Sequence, residues 1–183
     1  METIYFATNN PFKFEEVKKV ADDFDIEMKK LEYNIRELQT INREDLIKDK
    51  TLKAFSRIHS PVMVDHASLE IESLNGIPGT LTQLFWDKLE GKICDIVNVL
   101  GNTKARAIST IGYCDGKKVY YEEGYVDGHI TNEPLGLRKF QWDTIFVPDG
   151  KTKTYGEMDI EEKNKISQRK IALSKMFNKI KSS

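Results

Sequence analysis

The chain has 183 residues, is 39% hydrophobic and 31% charged, and sets 28 Lys and Arg against 29 Asp and Glu. That length fits one domain, residues 1–183, better than two, and the apolar share is enough to offset the entropy of ordering the chain. The balanced charge speaks against a dedicated DNA or RNA binder, yet it leaves room for a small anionic ligand held by a few gathered cations.

Ile4 to Thr8 reads as a short buried strand, broken by Asn9, Asn10 and Pro11. Phe14, Val17, Val20, Ala21 and Phe24 then recur at helical spacing. Residues 26–31 fit a second strand, and residues 42–58 a helix with Asn42 as N-cap and Pro61 beyond its end. The run 61–65 is a buried strand ending on polar residues, continued in extended form by 69–73. Gly76 and the Pro78–Gly79 pair mark a turn before two helices over 80–90 and 92–100. Alternating stretches 104–114 and 117–127 flank Asp115–Gly116, a strong hairpin signal. One last helix over 160–181 presents Ile166, Leu173, Phe177 and Ile180 to a core. Strand–helix alternation followed by a long hairpin predicts an α/β protein with a mixed sheet.

Cys94 and Cys114 provide neither a disulfide framework nor a metal set. No run approaches the ~18 apolar residues that span a membrane, and METIYFATNN has no secretory pattern. A cytoplasmic protein with reduced thiols and no membrane partner is expected.

Three clusters carry candidate chemistry. The first strand feeds ATNNPFK and then a helix, a way of turning backbone N–H groups and the helix dipole toward phosphate, with Thr8, Asn10 and Lys13 as side-chain donors. It lacks the glycine spacing of a P-loop or a dinucleotide fingerprint. In the run 140–150, Phe140 and Trp142 are candidates for the wall of a flat base and Asp143 for its hydrogen-bond acceptor, although aromatics in such a run, taken alone, more often build cores. In 161–169, Lys163 and Ser167 stand one helical turn apart with Arg169 nearby.

Taken in order, Thr-x-Asn-x-x-Lys, Phe-x-Trp-Asp-x-x-Phe-x-Pro-x-Gly and Glu-Lys-Asn-x-x-Ser-x-Arg resemble the HAM1, or inosine triphosphate pyrophosphatase, family. Glu37-Leu-Gln, Lys50 fifteen residues before Asp65, Leu74-Asn-Gly-Ile-Pro-Gly79, Gly124-x3-Gly128-x-Ile130 and Thr154-Tyr-x-Glu-Met158 agree. The resemblance implies an elongated α/β fold with a mixed sheet and two lobes around a nucleotide cleft, a homodimer, and Mg²⁺-dependent cleavage of ITP, dITP or XTP to monophosphate and pyrophosphate. It places Thr8, Asn10, Lys13 and Lys50 on the triphosphate. Phe140, Trp142 and Asp143 fall on the base, with Lys163, Ser167, Gln168 and Arg169 completing the pocket, and Glu37 and Asp65 face the metal.

The departures set a further expectation. Where the family carries two consecutive acids followed by Ser or Thr, this chain reads Asp65-His66-Ala67, so the position to which the family's catalytic role is attributed holds an imidazole. Mg²⁺ prefers oxygen ligands, although histidine remains a competent base near neutral pH. Gln141 replaces a Gly and Gln168 a His; the amide of Gln168 still donates and accepts toward a 6-oxo purine. These departures lead to the expectation of a binder of dITP or ITP with impaired or absent hydrolysis, acting as a sensor on a partner effector. The HAM1-like subunit of Kongming-type antiviral defence systems is similar in that respect. An active diphosphatase is the alternative.

Overall fold

The computed structural model describes residues 3–137 and 141–182. Strand β1 (Ile4–Ala7) leads into helix α1 (Pro11–Asp22), and β2 (Met28–Leu31) precedes α2 (Arg43–Ile58). The long strand β3 (Val62–Ile71) is followed by the two-residue β4 (Pro78–Gly79), α3 (Thr82–Leu89) and α4 (Lys92–Leu100). Then come β5 (Lys104–Cys114), β6 (Val119–Ile130), β7 (Phe146–Pro148), α5 (Ile160–Ile166) and α6 (Gln168–Lys181). The strand order is β2-β1-β3-β5-β6-β7, with β4 paired to β3, which is the mixed α/β sheet expected. β1 runs parallel to β2 and β3, whereas β4 and β7 are antiparallel to their partners.

The chain forms two compact units. The first comprises residues 1–66, 109–124 and 169–183. One of its cores gathers Phe6, Val17, Val20, Met63, Ile111, Leu173 and Phe177, so the apolar stripe of α1 and one face of α6 are both buried there. A second core packs Ile47 and Ala54 of α2 with Val62, Val64 and Cys114. The second unit comprises residues 67–108 and 125–168, with Trp86, Ile93, Val97, Ile130, Trp142, Phe146 and Tyr155 in its core.

Caps fix the helix starts, at Asn42 as the sequence predicts and at Asn10 in place of the expected phosphate contact. Asn42 accepts hydrogen bonds from the N–H groups of Glu44 and Asp45, and Asn10 does the same for Phe12 and Lys13. The last helix is a correction: the expected 160–181 span is two helices. Ser167 takes extended dihedrals (φ −71°, ψ 149°) and closes α5. The apolar stripe hides this break because Ile166 packs in the second unit's core, whereas Leu173 and Phe177 belong to the first. Lys163 and Ser167 still stand one turn apart, since the Ser167 N–H donates to the Lys163 carbonyl and only the chain beyond Ser167 leaves the helix.

Among the described residues, no helix is long and apolar enough to cross a membrane.

Candidate functional site

In the first unit, parallel pairing brings the phosphate-loop candidates beside the acidic strand. Tyr5 stands opposite Val62 and Phe6 opposite Met63, so the same register carried forward sets Thr8 level with Asp65. Lys13, three residues into α1, reaches across, with its Nζ 3.2 Å from Asp65 Oδ2. The loop itself is tied internally. The Asn10 N–H donates to Thr8 Oγ1 at 3.1 Å, and Asn10 Oδ1 accepts from Phe12 and Lys13. The helix N–H groups expected to face an anion are therefore capped by Asn10, and the cationic component of this loop is Lys13.

Asp65 is buried and surrounded by donors. Ser109 on β5 donates to its Oδ1 at 2.6 Å, and Arg169 Nε donates to its Oδ2 at 3.2 Å. Arg169 also pairs with Glu16 of α1. Arg169, Leu173 and Met176 share one face of α6, so burial of that face carries the guanidinium inward. Lys50 of α2 pairs with Glu37 and donates to the Asp65 main-chain carbonyl at 2.8 Å. His66 Nδ1 lies 3.3 Å from Glu37 Oε2, while its Nε2 is buried without a hydrogen-bond partner among the described residues.

Electrostatics follow from this crowding. Burial works to raise the Asp65 pKa, but the charges of Arg169 and Lys13, the Ser109 hydroxyl and Lys50 outweigh it and hold the carboxyl far below the ordinary range. Glu37 is likewise depressed: burial opposes, and His66 and Lys50 prevail. Burial lowers the Lys13 pKa, helped by Arg169 and Lys50 and opposed by Asp65. Asp65 and Glu37 are thus fixed anions at neutral pH.

In the second unit, a 3₁₀ turn at Gln141–Thr144 buries Trp142, Asp143 and Thr144. Trp142 stands edge-on to Phe146, with ring centroids 6.0 Å apart, inside that unit's core. Asp143 pairs with Lys163 of α5 at 2.5 Å, and both side chains are buried. The Lys163 ammonium also lies 5.3 Å from the Tyr155 ring centroid. Gln168 Oε1 is buried with no hydrogen-bond partner among the described residues, and Gln141 Nε2 donates to Gln83 Oε1 at 2.7 Å. Phe140 lies outside the described residues.

The expected residues thus sort into two sets. Thr8, Asn10, Lys13, Glu37, Lys50, Asp65, His66 and Arg169 belong to the first unit. Trp142, Asp143, Lys163, Ser167 and Gln168 belong to the second. Sequence reasoning missed Glu16 and Ser109. Glu16 was detectable, since it sits one helical turn before Val20 on the buried stripe of α1, where an unpaired acid would be costly. Ser109 carries no such signal.

Comparison with known proteins places these residues in context. The Ham1 family model matches residues 4–179. The dITP/XTP pyrophosphatase of Methanopyrus kandleri is 34% identical over 175 residues, covering 94% of this chain and 93% of that protein. The dITP/XTP pyrophosphatase of Pyrococcus horikoshii is 35% identical over 180 residues, covering 97% and 96%. Among solved structures, a HAM1 protein from Coxiella burnetii superposes with a TM-score of 0.83 at 23% identity over 100% of both chains, a likeness of fold.

Proposed function

The chain belongs to the Ham1 family, and from that premise we propose that it is a pyrophosphatase for dITP- or XTP-type purine nucleoside triphosphates. The observation that carries this reading is the linked network of Lys13, Lys50, Asp65 and Glu37, which joins phosphate-seeking ammonium groups to hard oxygen donors. Relatives that align along nearly the whole chain and are named dITP/XTP pyrophosphatases favour turnover over binding alone.

In this reading Lys13 and Lys50 take the triphosphate oxygens, with Thr8 and Asn10 shaping the loop. Water adds to one phosphorus of the α–β phosphoanhydride as the bridging P–O bond breaks, which yields monophosphate and pyrophosphate, and the proton that water loses passes to solvent. Asp65 and Glu37 fit a hard divalent cation such as Mg²⁺. Both are held ionised, and one ammonium, that of Lys50, reaches a group on each. Such an ion, when bound, supplies charge neutralisation on the phosphates. Arg169 and Ser109 hold the Asp65 carboxylate in place. Within the second unit, Gln168 Oε1 is a buried acceptor suited to a purine N–H, and that unit also buries Trp142 and the Asp143–Lys163 pair.

A second reading, binding of dITP or ITP with little turnover and signalling to a partner protein, rests on His66. The resemblance implies a second acid at that position, and an imidazole is a weak substitute for an oxygen ligand. One assay separates the two: purified protein with dITP, XTP or dGTP and Mg²⁺, scored for pyrophosphate and for retained nucleotide. Pyrophosphate from dITP and XTP in preference to dGTP supports the pyrophosphatase. Retained dITP without product supports the second reading, and neither binding nor product overturns both. If His66 and Ala67 limit the rate, His66→Asp with Ala67→Ser raises it.

A further inference from the structure

The two acids suited to a divalent cation are already occupied by the protein's own donors. Lys13 stands against Asp65 Oδ2 and Ser109 against Oδ1. Lys50 stands against Glu37 Oε1 and His66 against Oε2. Each of the four carboxylate oxygens therefore faces a donor. Among the described residues, no three His, Cys, Asp or Glu side chains converge in a way that would hold a metal ion. A cation arriving alone would have to displace ammonium groups from two acids and complete its shell from water. That exchange is unfavourable for an ion that dehydrates reluctantly.

A polyphosphate changes both sides of the exchange. Its oxygens compete for Lys13 and Lys50, whose side chains are 23% and 11% exposed, whereas Arg169, at 3%, stays on Asp65. The same oxygens supply ligands the protein lacks, since Mg²⁺ is commonly held by one or two carboxylates together with substrate phosphates. We propose that Lys13 and Lys50 guard Asp65 and Glu37, so that a divalent cation binds this chain only with or after a polyphosphate that draws the lysines away. The two ligands are then positively coupled, each tightening the other by the same factor. The proposal rests on the pyrophosphatase reading for the identity of the polyphosphate.

The test uses Mn²⁺ alone as the probe, followed by water-proton relaxation on the full chain without nucleotide. Wild-type protein is expected to bind Mn²⁺ at least ten-fold more weakly than Lys13→Met/Lys50→Met. The pair Lys13→Gln/Lys50→Gln and the two single Gln variants repeat the comparison, and circular dichroism identifies which variants are folded. Inorganic tripolyphosphate added to wild type is expected to produce a ternary Mn²⁺ complex with enhanced relaxation. Wild-type Mn²⁺ affinity equal to that of the folded double variants overturns the guard, as does the absence of the ternary complex. Because no nucleotide enters these measurements, they are decided independently of the dITP assay.

Discussion

Replacing Arg169 by Gln removes the guanidinium that joins Glu16 and Asp65. All three side chains are at most 3% exposed, so the substitution leaves two buried carboxylates without their shared cation. Breaking a buried ion pair by deleting one partner costs about 3–5 kcal/mol, because the remaining charge is uncompensated. Lys13 and Ser109 still contact Asp65 and shelter part of that loss, which places the expected value near the lower bound, about 3 kcal/mol. For a chain of this size each kcal/mol lowers Tm by roughly 2–4 °C, giving a drop of about 6–12 °C. Arg106→Gln serves as the control. Its pair with Asp127 is 44% and 49% exposed, and its loss should cost under about 1 kcal/mol. Thermal unfolding by circular dichroism reads both. Equal, small shifts for Arg169→Gln and Arg106→Gln would refute the view that Arg169 is the electrostatic centre of the first unit.

Three further outcomes are expected. Asn10→Ala removes the acceptor for the Phe12 and Lys13 N–H groups and should cost about 1 kcal/mol in urea unfolding; no change would mean the cap is dispensable. Gly112→Ala puts a Cβ 2.9 Å from Ile47 Cγ1 and closer still to Thr51 Oγ1, so about 1–3 kcal/mol of stability should be lost. The folded-state pKa of Asp65 is depressed, so its stabilisation is complete above the ordinary carboxylate pKa near 4 and fades as pH falls through the folded value. Asp65→Asn should therefore flatten the loss of stability below about pH 4, measured as Tm against pH, and an unchanged slope would contradict it.

Much of the fold was legible because its signals are local. The Asn42 cap and the Asp115–Gly116 turn each depend on a few consecutive residues, and both stand where expected. The break at Ser167 was not, because the stripe of α5 and that of α6 read as one period although they serve different cores. In the site, motif order located Lys13, Lys50 and Asp65, which the structure brings into one network. It gave no sign that Arg169 is spent on Glu16 and Asp65, a pairing across 153 and 104 residues that only tertiary packing creates. Nor did it show that Asn10 caps the helix it was expected to open toward phosphate. Motifs report which residues are present, whereas the hydrogen bonds determine what those residues are occupied with.

The most direct measurement is ³¹P nuclear magnetic resonance of dITP incubated with the wild-type chain and Mg²⁺. A Ham1-family pyrophosphatase should convert the three triphosphate resonances into those of dIMP and pyrophosphate, one of each per dITP consumed, over many turnovers. Triphosphate resonances that persist, broadened by binding but unconverted, would contradict that conclusion.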